Sequence, residues 1–281
     1  NNFQTMKTKS IIFFFLIITG NIFSQNISNT LNLGGIFTIK NGSTTFFSLS
    51  QSTRSLTLSN SLLLPVVTPG SGNGTIYKGN DRFIHCFAPS GADGQNLFAG
   101  IRSGNFTMSG SGSSSSYNTG AGFESLSSLT TGSGNTALGV SSLFNNTTGN
   151  FNCTFGDSSL YKNTTGYNNT SFGYYSNYSI TTGYSNSDFG SKYIPAGGNK
   201  NSCSSFGFNS QLRVSGPFNT SFGYNTLIHC YNNVSNTAFG CFALELLDFP
   251  GAGARSYNCG FGWSALKNNG FSYLSTVFGC A

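Results

Sequence analysis

Polar and apolar residues recur along this chain with a fixed period. The words Asn135-Thr-Ala-Leu-Gly139, Asn152-Cys-Thr-Phe-Gly156, Asn169-Thr-Ser-Phe-Gly173 and Asn186-Ser-Asp-Phe-Gly190 are followed by five more, ending at Gly207, Gly223, Gly240, Gly262 and Gly279. An earlier copy is Asn118-Thr-Gly-Ala-Gly122. From Gly122 onward the glycines stand 17, 17, 17, 17, 17, 16, 17, 22 and 17 residues apart. Within each word the side chains alternate faces as in a strand, so Phe shares a face with the Thr or Cys two residues before it. Four residues after most of the glycines sits a second apolar residue: Leu126, Leu143, Leu160, Ile194, Leu227, Leu244 or Leu266, with Asn177 and Gln211 as exceptions. Thr-Thr-Gly signals at Gly132, Gly149, Gly166 and Gly183 then mark turns.

Two short strands and two turns account for 17 residues. A helical repeat needs about 34 residues, and Thr, Ser, Asn and Gly are poor helix formers. One coil cannot bury its Phe and Leu alone, whereas stacked coils set Phe on Phe and Leu on Leu every ~4.8 Å. The pattern therefore predicts an all-β parallel β-solenoid (β-roll) of ~17-residue coils. Its structural ladder is Leu138, Phe155, Phe172, Phe189, Phe206, Phe222, Phe239, Phe261 and Phe278. The two 22-residue intervals predict coils with outward loops. One carries the low-complexity run Ser109–Ser116, read as flexible, and the other carries Asp248–Arg255.

Upstream the pattern changes. Gly34–Lys40, Thr44–Ser50 and Ser55–Leu58 alternate apolar and polar residues as short strands do. Pro69–Gly74 reads as a linker. At the start, Lys7 and Lys9 precede the apolar run Ile11–Ile18, the form of a secretory signal peptide with cleavage near Ser24-Gln25 and Met6 as initiator. That run is too short to span a bilayer, which takes about 20 residues. The predicted organisation is 1–25 upstream residues and signal peptide, 26–95 a β-rich N-terminal region and leader, and 96–281 the solenoid. The predicted location is secreted or cell-surface, with no membrane span.

Composition follows from stacking. Only 7% of residues are charged, because like charges stacked at that spacing repel while Asn, Ser and Thr ladders hydrogen-bond along the pile. A net charge of +6, two of it from Lys7 and Lys9, gives no electrostatic footprint for nucleic acid. Seven carboxylate side chains and two histidines leave little for acid–base catalysis. Glu245 and Asp248 are the best carboxylate pair and read as solvated surface; Asp157 and Asp188 sit at different repeat phases. His85-Cys86 and His229-Cys230 are adjacent on strands and point apart, unlike a nucleophile and its base. Export would permit disulfides among the seven cysteines, but Cys153 and Cys259 stand where other coils hold Thr or Ser, and read as slot-fillers. No metal-ligand spacing occurs, and no catalytic residue or cofactor is predicted. Tyrosines 161, 167, 174, 175, 178 and 184 cluster in the middle coils; Tyr174, Tyr175, Tyr178 and Tyr184 are candidates for stacking on a ligand's sugars, or on a neighbouring coil or subunit.

The run Asn135–Ser176, NTALGVSSLFNNTTGNFNCTFGDSSLYKNTTGYNNTSFGYYS, resembles the NTAxG repeats of bacterial surface proteins and phage tail-fibre-like proteins, and is similar to the head domains of trimeric autotransporter adhesins. The segment Ile76–His85 resembles a leader that precedes such repeats. The resemblance implies a homotrimer, attachment to a surface or fibre, and a glycan or cell-surface receptor as partner; it carries no catalytic motif. The chain departs from the pattern by ending inside a repeat at Ala281, and is expected to continue into a longer protein. The expected function is that of a non-catalytic structural or adhesive repeat protein. The alternatives are an ice-binding solenoid, weakened by Cys153, Ser187, Ser204 and Cys259 in the Thr slot, and a carbohydrate-active enzyme.

Overall fold

The computed structural model describes residues 36–41, 44–50, 55–58, 75–190, 200–211, 213–214, 216–230, 233–245, 256–268 and 274–280. The predicted signal peptide, the Pro69–Gly74 linker, Ile194 and the Asp248–Arg255 loop lie outside them. The chain divides into two compact units, 1–63 and 64–281. In the first, Ile36–Asn41, Thr44–Ser50 and Ser55–Leu58 form an antiparallel meander, at the positions the alternation predicts.

The second unit is a β-solenoid built on one thirteen-stranded sheet. Ile76–Lys78, Asp81–His85 and Leu97–Ala99 pair antiparallel, and so the leader hairpin is continuous with the coils. From Leu97–Ala99 every further pairing is parallel, with strands of three residues: Thr136–Leu138 on Cys153–Phe155, then Thr170–Phe172, Ser187–Phe189 and onward to Thr276–Phe278. Register is in phase, each Phe opposite the next. No described residue is helical.

Two features differ from the expectation. The residue that points inward is the middle one of each strand: Ala137, Thr154, Ser171, Asp188, Ser205, Ser221 and Ala238 are each no more than 2% exposed. The flanking Thr and Phe face outward. From Gly120 onward the slot holds small or medium side chains, whereas in the first coil Phe98 fills it, fully buried opposite Gly120. The predicted second strand forms only as the short parallel pair Arg213–Val214 and His229–Cys230; in the other described coils that position is a turn. Leu126, Leu143, Leu160, Leu227 and Leu244 reach the core from turns, at φ between +48° and +53°. Single backbone bonds still join successive coils there, such as Leu143 N–H to Ser159 O at 3.0 Å and Leu160 N–H to Ser176 O at 2.9 Å.

A third expectation to change is that for Ser109–Ser116. Ser115 and Ser116 are fully buried. Ser115 Oγ donates to the carbonyls of Ser109 (2.6 Å) and Thr130 (2.7 Å), while Ser116 Oγ accepts from Gly94 N–H at 2.9 Å. Ser115 and Ser116 fill interior polar slots while Ser109, Ser111 and Ser113 stay exposed, so the end of this run is built into its coil.

Two columns set the coil spacing. The first is asparagine. Asn118, Asn135, Asn152, Asn169 and Asn186 are buried, and the Oδ1 of each of the first four accepts both the backbone N–H and the Nδ2–H of the next, at 2.9–3.2 Å; Asn186 Oδ1 accepts the backbone N–H of Cys203 at 3.1 Å. Each Nδ2 also donates to a turn carbonyl, as Asn152 does to Gly166 at 2.8 Å. Buried amides are costly unless bonded; here the ladder satisfies them. The second column is the glycine after Phe. At Gly156 φ is +136°, and an added Cβ would lie 2.6 Å from the Gly173 carbonyl carbon and closer still to its oxygen. Only glycine meets both demands.

Candidate functional site

The outward phenylalanines form a continuous ribbon. Ring centroids are 4.6 Å apart for Phe155–Phe172, 4.9 for Phe172–Phe189, 4.7 for Phe189–Phe206, 4.8 for Phe206–Phe222 and for Phe222–Phe239, 6.0 for Phe239–Phe261 and 5.0 for Phe261–Phe278. The planes are within 26° of parallel throughout. The widest gap coincides with the 22-residue interval. Leu138 opens the column, paired in register with Phe155. The rings sit in one line because successive strands share register; they are not core. Phe206, Phe222 and Phe239 are 45%, 44% and 49% exposed.

Beyond the glycine a second outward column runs beside the first: Phe123, Val140, Tyr174, Phe208, Tyr224 and Trp263, all exposed. A shallow groove of about 280 Å³ lies between the Phe column and the Ser/Thr column across Ser187–Phe222. The outward Thr column is interrupted by Cys153, Ser187, Ser204 and Cys259.

The candidate tyrosines divide into two groups. Phe144, Tyr161 and Tyr178 stack at 5.1 and 5.2 Å, with Tyr175 4.7 Å from Tyr178 and Tyr174 4.4 Å from Tyr175. Tyr167 and Tyr184 form a separate exposed stack at 5.1 Å. Tyr184 therefore belongs to a different column from Tyr174, Tyr175 and Tyr178.

The scarce charges are mostly paired. An open cleft of about 450 Å³ is lined by Asp81, Arg82, Arg102 and Glu124 among others. In it Arg102 bridges Asp81 (3.7 Å) and Glu124 (3.1 Å), and Arg82 stacks on Phe106 at 4.2 Å. Glu245 pairs with Lys267 at 3.1 Å, and its expected partner Asp248 lies outside the described residues. Asp157 accepts from Ser158 Oγ at 2.8 Å at the surface. His85 is buried against Phe98 and Phe106. Its Nδ1 accepts from Phe87 N–H and its Nε2–H donates to Ser103 O at 2.8 Å, which defines one neutral tautomer. Burial lowers its pKa to about 4, aided by the charge of Arg82 and opposed by the Ser103 bond. No described Cys side chain faces His85 as a nucleophile would, and Cys86 is an exposed free thiol. The cysteines with described side chains are all free; Cys203 takes an asparagine slot in the ladder, and burial raises the Cys153 thiol. No group of three or more metal-ligating side chains is gathered among the described residues.

The repeat pattern marks Asn177 and Gln211 as exceptions without showing what fills the interior of the middle coils. Between an apolar cluster ending at Ile180 and another starting at Val214, most of the described buried side chains are polar. Asn177 and Gln211 replace the coil leucine; Asn177 Nδ2 donates to Ser171 Oγ at 2.7 Å, and Gln211 Nε2 donates to Ser204 O and Asn219 O at 2.6 and 2.9 Å. Asp188 is fully buried there. The signal was the word Asn-Ser-Asp-Phe-Gly itself, which puts a carboxylate in the slot that other coils give to small residues.

Among the described residues no helix is long and apolar enough to cross a membrane. Comparison with family models, curated proteins and solved structures gives no match to this chain.

Proposed function

We propose that this chain is a non-catalytic, surface-exposed rod that assembles as a homotrimer through its phenylalanine ribbon and serves as a fibre or adhesin head outside the cell. The observation that carries the reading is the ribbon: eight rings stacked on successive coils, nearly half exposed at Phe206, Phe222 and Phe239. Exposed apolar surface of that continuity marks an interaction face. It carries no charge, repeats along the rod and so matches a second copy of itself. The resemblance to trimeric adhesin heads supplies the number three. The separate Tyr167–Tyr184 stack and the Tyr174 cluster then face a glycan or cell-surface receptor, for which stacked rings offer flat apolar faces with polar tips.

Light scattering after size exclusion tests the assembly. The wild-type chain is expected at three times its single-chain mass, and the double variant Phe206→Thr/Phe222→Thr at or near the single-chain mass with its β circular dichroism intact. A wild-type chain that stays monomeric at tens of micromolar overturns the assembly. Loss of glycan-array binding in Tyr174→Ala/Tyr184→Ala, with the trimer retained, supports receptor contact.

A further inference from the structure

The solenoid interior holds one ion pair with both side chains buried among the described residues. Lys200 Nζ lies 3.6 Å from Asp188 Oδ2, with the side chains 2% and 0% exposed. Ser205 Oγ donates to the other carboxylate oxygen, Oδ1, at 2.6 Å. Lys200 Nζ has no hydrogen-bond partner among the described residues. As a salt bridge this is a poor arrangement. Removing two ions from water costs several kcal/mol each, and close, well-bonded geometry is needed to offset it. Here the ammonium protons find no such geometry.

We propose that Lys200 and Asp188 condense to an intramolecular isopeptide bond. The ammonium passes a proton to the carboxylate, and the freed Nζ lone pair attacks Cγ. The C–Oδ2 bond breaks, and Oδ2 leaves as water carrying two protons from the nitrogen. One N–C bond forms, one C–O bond breaks, no electrons are transferred to or from an outside partner, and both buried charges disappear. Ser205 polarises the carboxyl through Oδ1, holds the developing oxyanion, and remains bonded to the amide oxygen of the product. Two physical features favour the step. The fold holds amine and acid in contact, which makes the reaction effectively unimolecular. The interior also keeps out the water that would hydrolyse the product, while the neutral amide removes the desolvation cost of the ions. The bond ties the strand Ser187–Phe189 to the residue whose carbonyl accepts Asn186 Nδ2 at 2.7 Å, so it clamps the Asn ladder where the apolar core gives way to polar groups.

The inference is independent of the trimer and is read out without it. Intact-mass spectrometry of the folded wild-type chain is expected to give a mass one water below that of its sequence. Proteolysis should yield a branched peptide joining the Asp188 and Lys200 segments, uncleaved at Lys200 by trypsin. Lys200→Met, close in shape and uncharged, should restore the full mass, which also separates this loss from dehydration at another aspartate. Ser205→Ala should slow the loss of water at least tenfold in freshly refolded protein. A folded wild-type chain that keeps its full mass after prolonged incubation overturns the proposal, as does a water loss that persists in Lys200→Met.

Discussion

Gly156→Ala is the sharpest perturbation of the stack. At φ +136° the backbone lies in a region that side-chain-bearing residues avoid, at a cost of about 1–3 kcal/mol. The new methyl would also meet the Gly173 carbonyl, with its carbon at 2.6 Å. That contact is with backbone, so no rotamer relieves it. The next coil must move away, stretching Gly173 N–H to Phe155 O (2.7 Å) and Tyr175 N–H to Asp157 O (3.0 Å). Forced overpacking of this kind costs about 1–3 kcal/mol, for an expected total of about 2–6 kcal/mol. Gly112→Ala is the control: φ is +57° and the new methyl meets nothing within 4 Å, so only the left-handed backbone term of about 1–2 kcal/mol applies. Urea unfolding followed by circular dichroism at neutral pH measures both. Equal losses for the two variants would refute the claim that coil-to-coil backbone contact fixes this glycine.

Cys203→Asn should restore the interrupted ladder. The new Oδ1 would accept the Asn219 backbone and side-chain N–H groups, and its Nδ2 would donate to Gly216 O, which the Cys203 thiol now reaches only at 3.4 Å; about 1–3 kcal/mol of added stability is expected, measured as a raised urea midpoint. His85 gives a pH signature. Its folded pKa of about 4 lies below the unfolded 6.5, so the unfolded chain takes up the proton first; the contribution is complete above about pH 6.5 and falls away towards pH 4, by up to about 3 kcal/mol. His85→Gln should flatten that part of the stability profile, and an unchanged slope would contradict the neutral buried assignment.

The period, the parallel stacking and the glycine column were legible because each repeats one local demand ten times over. The direction of the phenylalanines was not. Alternation defines two faces of a three-residue strand without saying which is inside, and large apolar residues bias the choice towards burial. The signal was volume: Gly120, Ala137, Ser171, Ser205, Ser221, Ala238 and Gly260 stay small at the middle slot, while the next residue is Phe in most coils. Leucines at positive φ ran against residue propensity and were unreadable for that reason. Ser115 and Ser116 misled through composition, since a Gly/Ser run describes a flexible linker only when its hydroxyls find no buried partner. Asp188 was noticed for its repeat phase, while the inward slot it occupies became visible only with the coil closed.

Hydroxyl-radical footprinting, read by mass spectrometry on the assembled chain, tests the outward ribbon and its burial by a second copy together. Phe206, Phe222 and Phe239 should be protected several-fold relative to Phe151 and Phe218, which are 65% and 61% exposed on another column, and should become reactive in the Phe206→Thr variant at Phe222 and Phe239. Equal modification of both columns in the wild-type chain at every concentration would contradict the account.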